Sequence, residues 1–437
     1  MVEKYGNTIN RLKYAFFSLF VFFCFNLTAE NFSSFYEDFF SSFSNTSSGN
    51  EGLTVFRSFN IPIGGNAEAL GSAFTALSND IGFFEYNPAA SSSLKNTEFA
   101  VFHNSWIADS SLDTIAYTTR FNHFGTGTYL KCFYVPFTEY NIFGERVSRG
   151  YYSESTAAVN LSYNFFSGYN FKGIAAGINL KTAFRSVPDY ADDETNEVIP
   201  GSGLEQSALA GAVDFGLKTS FNFLKFYISR NSNFNMGVSL MNLGAALTGF
   251  GDEVKADDPL PTKVQGGFSW QPILPLIFTF EFQQPLNLAD IDKSEHWAAG
   301  TGCFIQITDF FAVAGGFQLK GANPRFSLGS EFTVQKFIVN LNYTFDLTSS
   351  LNPLNRISLS AKLSLGDRGR KVKQDEIDAL YLEGLKLYAE GHLEEAIQIW
   401  EQILLMDKRF DPAIESIATA KETIRLQKRI KEIQILD

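Results

Sequence analysis

The chain has 437 residues and a mass of 48.7 kDa, with 45% apolar residues, 19% charged residues and a mean hydropathy of −0.05, a balance that excludes a disordered chain and a bundle of membrane-spanning helices. A net charge of −12 argues against nucleic acid as a partner, because phosphate binding needs a clustered basic face and the sequence holds none. The aromatic share is the unusual quantity: 46 Phe, 17 Tyr and 4 Trp are more than a soluble core conceals, and the excess must face something other than water.

At the amino end, Lys4, Arg11 and Lys13 precede a run from Tyr14 to Phe25 that is apolar except for Ser18, followed by Asn26, Leu27, Thr28 and Ala29. This pattern predicts a secretory signal peptide over residues 1–29, since the run is well short of the roughly 20 residues a spanning helix needs. Cys24 falls in the discarded segment. Cys132 and Cys303 remain, and their spacing leaves pairing open. The cysteines and the four histidines (His103, His123, His296, His392) show no CxxC or Cys/His spacing, so no metal site and no cofactor is predicted.

Residues 30–53 are rich in Ser, Phe, Asn and Glu without periodicity and read as a flexible leader. Over 54–96 the composition changes to small and apolar residues interrupted by Gly64, Gly65, Gly71 and Gly82, ending at Asn87-Pro88-Ala89. That composition predicts a compact, tightly turned hatch or plug rather than strand.

From residue 98 the pattern has period two, the signature of strands whose two faces meet different environments. Leu209, Val213, Phe215, Leu217 and Phe221 fall on one face, with Ala208, Ala210, Ala212, Asp214, Gly216 and Lys218 on the other. Phe337, Val339, Leu341, Tyr343 and Phe345 likewise alternate with Ile338, Asn340, Asn342 and Thr344. Strand candidates fall at 98–106, 112–122, 125–138, 151–166, 173–187, 207–221 and 234–243, and then at 262–271, 275–285, 295–308, 310–319, 325–334, 337–347 and 355–365. Fourteen strands over 97–366, with an apolar face on each, predict an all-β transmembrane, 14-stranded antiparallel outer-membrane β-barrel. A soluble β-sandwich is the alternative, but it leaves the many apolar outer faces and the aromatic excess without a role. The acidic stretches near 188–206 and 248–261 read as exposed loops.

Beyond Gly366 the period becomes helical. Residues 371–437 hold 24 charged residues in 67. Ile377, Leu380, Tyr381, Leu385 and Tyr388 form one stripe, Gly391 breaks it, and Leu393, Ala396, Ile397, Trp400, Ile403 and Leu404 form a second. Asp411-Pro412 predicts an N-cap and first turn opening a third helix.

The segment Ile63 to Ala90, IGGNAEALGSAFTALSNDIGFFEYNPAA, resembles the hatch of FadL-type long-chain fatty acid transporters and their PorV/PorQ-type relatives. In those proteins a Gly- and Ala-rich stretch leads into an Asn-Pro-Ala motif before the first strand. Here Asn87, Pro88 and Ala89 match the motif, with Gly64, Gly65 and Gly71 upstream. Residues 235–269, with NMGVSLMNLG and DDPLPTK, are similar to the later barrel region of the relatives. The resemblance covers residues 54–365. It implies a barrel in the outer membrane of a diderm bacterium, plugged by its hatch, that takes up hydrophobic molecules such as long-chain fatty acids and releases them sideways into membrane lipid. Phe74, Phe83, Phe84 and Tyr86 are the candidate ligand contacts; plug anchors are the alternative role for the same rings. Pro136 falls in the third strand, which in the family is kinked beside an exit, and also suits a strand end. The tail resembles a tetratricopeptide unit, with Tyr381, Gly384, Ala396 and Trp400 at repeat-like spacing. One repeat and a following helix are fewer than a self-sufficient stack needs, which predicts a periplasmic domain that docks a protein partner.

No GxSxG, GxxxxGK[ST] or HExxH motif occurs, and the pairs Asp192/Asp193 and Asp257/Asp258 sit in loops. No catalytic residue is therefore assigned and no enzyme is expected. The competing function is an outer-membrane barrel for protein binding, secretion or assembly that transports no lipid.

Overall fold

A computed structural model describes residues 54–436 apart from 79, 107–108, 142, 193–194, 196, 249–258, 289–293, 321–322 and 347–355. The expected signal peptide and leader, and Asp193, Asp257 and Asp258, lie outside the described residues.

Fourteen strands close into one antiparallel barrel. They are β1 (Glu98–Ser105), β2 (Ser111–Phe121), β3 (Phe124–Tyr140), β4 (Arg146–Phe165), β5 (Ile174–Ser186), β6 (Ala208–Phe221) and β7 (Phe234–Thr248). Then follow β8 (Thr262–Ile273), β9 (Leu276–Leu286), β10 (Ala298–Thr308), β11 (Phe311–Lys320), β12 (Asn323–Val334), β13 (Phe337–Asp346) and β14 (Arg356–Ser364). Each strand pairs with its sequence neighbours, and β1 closes on β14 from Glu98↔Ser364 to Ser105↔Ile357. Closure follows from the apolar outer face: backbone groups in lipid must all find partners within the sheet. Phe215, Leu217, Phe280, Leu341 and Leu359 point outward and are exposed, whereas Asp214, Lys218, Glu281, Asn340 and Ser360 point inward and are buried. Outward Phe221, Phe234, Phe268 and Phe280 stack across β6 to β9 with centroids 5.0, 5.7 and 5.5 Å apart. They form part of the aromatic girdle expected where a barrel meets the membrane interface.

The β3–β4 ribbon and β7 run furthest beyond the sequence expectation. β3 and β4 continue as a two-stranded ribbon to Tyr140↔Arg146, past Tyr134 where β3 leaves β2. Pro136 lies in that stretch opposite Tyr151 without a shift of register, where β3 has one neighbour and loses no second ladder. β7 extends to Thr248 through a bulge between Val213 and Phe215, at which Asn242 takes a φ of 60° and donates its N–H to Asp214 Oδ1 at 2.7 Å. The ribbon packs on the 187–207 connection. Glu139 accepts the Ala191 N–H, and Asp189 accepts those of Gly201 and Gly203, two amide bonds that hold its carboxyl below the usual carboxylate range.

The described residues of 54–96 fill the barrel as short helical turns joined by bends, and most of them are buried. The wall makes room with inward glycines. A Cβ on Gly216 would lie 2.1 Å from Asn87 Oδ1, on Gly177 2.4 Å from Pro88, on Gly237 2.3 Å from Thr75 O, and on Gly316 2.1 Å from Gly71 N. Cys132 and Cys303 are free and sit on β3 and β10, halfway round the barrel from each other.

Three helices follow β14: α1 (Arg370–Glu390), α2 (Leu393–Met406) and α3 (Asp411–Leu436). They enclose a separate core of Ile377, Ala396, Ile397, Trp400, Ile403, Phe410, Ala413, Ile417 and Ala420. Gly384 lets α1 and α2 cross, since a Cβ there would meet Trp400 Nε1 at 2.3 Å. Leu385, assigned to the first stripe by periodicity, is exposed instead.

The wall glycines give a direct test of how the plug is seated. Gly216→Val should displace the plug and open the buried Phe83 and Phe84 to chymotrypsin in detergent-purified protein. Gly211→Val, on the same strand with open space around its Cβ position, should leave both protected. Equal protection in the two variants would show that the glycine floor does not hold the plug.

Candidate functional site

The plug is an irregular chain in a closed lumen, so its peptide groups depend on wall side chains. Asn87 donates from Nδ2 to Thr75 O (2.9 Å) and to Leu217 O of β6 (3.0 Å), while its Oδ1 accepts the Ala89 N–H (3.0 Å). It thereby caps the turn that Pro88 opens. Pro88 O accepts from Asn160 of β4, Phe84 O from Asn179 of β5, and Tyr86 O from Ser239 and Gln265. The N–H groups of Phe74 and Thr75 both donate to Glu281 Oε2, at 2.8 and 2.7 Å. The Asn-Pro-Ala motif is thus the place where plug and wall are most densely tied.

The plug's carboxylates meet wall cations. Glu85 pairs with Lys131, Asp80 with Lys362, and Glu68 with Arg356 at 3.3 Å. All six side chains are buried. Gly64, Gly65 and Gly71 carry positive φ values of 101°, 73° and 63°, and Gly71 lies on the backbone of Phe317.

Of the four aromatic candidates, Phe74, Phe83 and Phe84 pack inside the plug and against the wall. Phe83 stacks on Phe84 at 4.4 Å, and Phe84 meets Tyr129 of β3 at 5.1 Å. Tyr86 alone among them borders open space. That space is a cavity of about 710 Å³ between the plug and the wall, on the side toward the β1–β2, β3–β4 and β11–β12 connections. Its apolar lining comes from Phe56, Phe59, Trp106, Phe133 and Val135, and its polar lining holds five cations, Arg57, Arg185, Lys263, Lys320 and Arg325, against the carboxylates Glu85 and Glu154. Both carboxylates are engaged: Glu85 by Lys131 and the Ile63 N–H, Glu154 by the Ser58 N–H and the Tyr152 hydroxyl. Arg57 is paired with Glu295. Ser58 Oγ, Asn60 Oδ1 and Arg185 Nε, all on residues of this lining, are buried without a hydrogen-bond partner among the described residues.

The four wall cations, Arg185, Lys263, Lys320 and Arg325, were missed in the sequence because each is a single inward residue on a different strand, and a polar lumen makes such residues ordinary. The signal that could have found them is their shared level, near the loop-side ends of β5, β8, β11 and β12.

In the tail, Tyr381, Gly384, Ala396 and Trp400 converge on the helical core. Trp400 lies between Tyr381 and Tyr388, with centroids at 6.4 and 6.0 Å. Asp411 does not act as the expected N-cap. Phe410 O accepts the first amides of α3, and the Asp411 carboxylate instead takes the N–H of Asn170, in the turn between β4 and β5, at 3.1 Å.

Residues 38–368 match the model of an uncharacterised protein family, UPF0164. A UPF0164 protein of Treponema pallidum (strain Nichols) is 28% identical over 395 residues, covering 88% of this chain and 87% of that protein. A second from the same organism is 27% identical over 395 residues, covering 87% and 78%. Among solved structures, the Ralstonia pickettii toluene transporter TbuX aligns with a TM-score of 0.45 and 11% identity over 70% of this chain and 99% of that one. A Pseudomonas aeruginosa FadL homologue aligns with a TM-score of 0.41 and 11% identity over 68% and 98%.

Asn87→Ala removes two donated bonds and one cap from a buried site. It should lower stability by about 1–3 kcal/mol, read as a lower urea midpoint in detergent. A midpoint equal to that of the unaltered protein would mean that the motif does not anchor the plug.

Proposed function

The chain belongs to the uncharacterised family UPF0164, and on that premise we propose that it is an outer-membrane transporter for hydrophobic molecules carrying an acidic head, long-chain fatty acids foremost. The observation that carries the proposal is the cavity above the plug. Its volume of about 710 Å³ falls in the range of small-molecule sites. Its walls pair an aromatic and aliphatic surface, suited to a hydrocarbon chain, with cations and an unpartnered Ser58 hydroxyl suited to a carboxylate. In this reading Tyr86, Phe56 and Phe133 meet the hydrocarbon chain and Arg185 and Lys263 meet the head, while Phe74, Phe83 and Phe84 hold the plug. The plug closes the direct path, so passage requires it to shift or the ligand to leave through the wall.

The reading also sets the orientation. β1 starts and β14 ends at the same end of the barrel, where the connections 122–123, 274–275, 309–310 and 335–336 are tight turns. Short turns face the periplasm in barrels of this type, which supports a cavity that opens toward the outside and a periplasmic helical tail. There it offers exposed Leu382, Leu405 and Leu426 to a protein partner. A second reading, a barrel that recruits proteins and carries no lipid, draws on the β3–β4 ribbon, where Tyr140, Phe143 and Tyr151 are 62, 78 and 56% exposed beyond the closed part of the barrel.

Binding of a fluorescent long-chain fatty acid to the mature chain in detergent separates the two. The transport reading expects saturable binding, weakened about tenfold or more by Arg185→Gln with Lys263→Met and weakened also by Ser58→Trp, whose ring intrudes on the cavity and removes the Ser58 hydroxyl. A folded barrel that binds no fatty acid would favour the protein-recruiting reading.

A further inference from the structure

The tail is bound to the barrel at two places, and one of them is the root of the plug. Three residues after β14, Asp367 accepts the N–H groups of Gly369 (3.1 Å) and Lys371 (2.7 Å) and fixes the first turn of α1. This aims Arg370 back at the barrel. Its guanidinium donates to Leu94 O at 3.2 Å and to Lys95 O, the carbonyls that join the plug to β1. Arg120 of β2 donates to the same Leu94 carbonyl at 3.2 Å. The end of the plug is therefore held by one arginine from the wall and one from the tail.

The second place lies across the same end of the barrel. Arg230, in the β6–β7 connection, pairs with Asp378 of α1 at 3.0 Å and lies over the rings of Tyr169 (4.5 Å) and Phe410 (5.6 Å). Tyr169 meets Phe410 edge-on at 5.1 Å, donates its N–H to Arg409 O at 3.2 Å, and packs against the helical core. Apart from Tyr169 that core is made by the tail itself, so the tail does not need the barrel for its fold. The contact is narrow and solvent-accessible, with Arg230 and Asp378 side chains 32 and 50% exposed. Such an interface opens and recloses without unfolding either side.

We propose that the tail is a latch on the plug. When docked through Arg230, Tyr169 and Asp378, it holds Arg370 on the plug's root; when undocked, it withdraws Arg370, leaves the Leu94 carbonyl to Arg120, and the plug loosens from that end. The surface that α1 and the α2–α3 junction present is thus a docking face whose occupant is the barrel's own rim. The mechanism does not depend on what the lumen carries.

The test uses the full chain in detergent, with Cys132 and Cys303 replaced by Ser and a reporter introduced as Ser92→Cys, a buried plug position. Its reaction with a maleimide reads plug opening. Arg230→Asp should undock the tail and speed labelling about tenfold. Arg370→Ala should speed it similarly while leaving the tail docked, as judged by crosslinking between cysteines placed at 230 and 378 with a short bismaleimide. That crosslink should slow labelling below the starting rate. Asp378→Asn, a smaller perturbation, serves if Arg230→Asp does not fold. Labelling that is the same in crosslinked and undocked protein would overturn the latch, as would Arg370→Ala without effect.

Discussion

A closed barrel solves the hydrogen-bonding problem of its wall and creates one for whatever fills it. The wall's peptide groups pair strand to strand, but the plug is too short and too sharply bent to satisfy its own. Its amides and carbonyls are met one by one by inward side chains: Asn104 for Pro62, Glu281 for Phe74 and Thr75, Asn179 for Phe84, Asn160 for Pro88. The inner face of this barrel is consequently rich in Asn, Ser and Gln. Where the plug backbone itself touches the wall, only glycine fits.

The same constraint explains the charges. Three plug carboxylates pair with three wall cations, and on the wall Lys181 pairs with Asp214 at 2.7 Å. Buried pairs gain little over an apolar contact of equal size, because removing both ions from water costs several kcal/mol. They do make misplacement costly, since a shift of the plug strands a buried charge. A relay from Asn160 to Asn179 (2.7 Å), Asp214 (2.8 Å) and, through Lys181, to Asn242 links the Asn-Pro-Ala turn to the β6–β7 bulge. The plug and the one irregular stretch of the β6–β7 ladder therefore share a single polar network.

What was legible in the sequence is what has two unlike environments. Period two marked all fourteen strands because lipid lies on one side of each and a polar lumen on the other. It faded where those environments end: Arg146-Val147-Ser148-Arg149-Gly150 carries no alternation, and β4 begins there because the ribbon projects beyond the closed barrel. The plug was legible from its small residues and its motif, but which aromatic ring borders the cavity was not. Phe74, Phe83, Phe84 and Tyr86 are chemically alike, and their roles are set by contacts with β3, β7 and β8 that no local pattern encodes. The family shown for the chain is UPF0164, a match that the hatch resemblance did not by itself specify.

The tail shows the same limit from the other direction. Counting repeats predicts an incomplete stack in need of a partner, and a count of apolar stripes cannot show that one contact on the helical core comes from within the chain. Tyr169 supplies it from a turn 200 residues upstream in the sequence, and nothing about Ser167-Gly168-Tyr169-Asn170 marks that turn as a docking element. The signal is partly misdirected as well. Asp411 before Pro412 has the form of a helix cap, yet its carboxylate is taken by the Asn170 N–H, because Phe410, turned inward to meet Tyr169 and Tyr381, already presents its carbonyl to α3. A residue type chosen for one local task thus does a long-range one, and the tertiary contact decides between them.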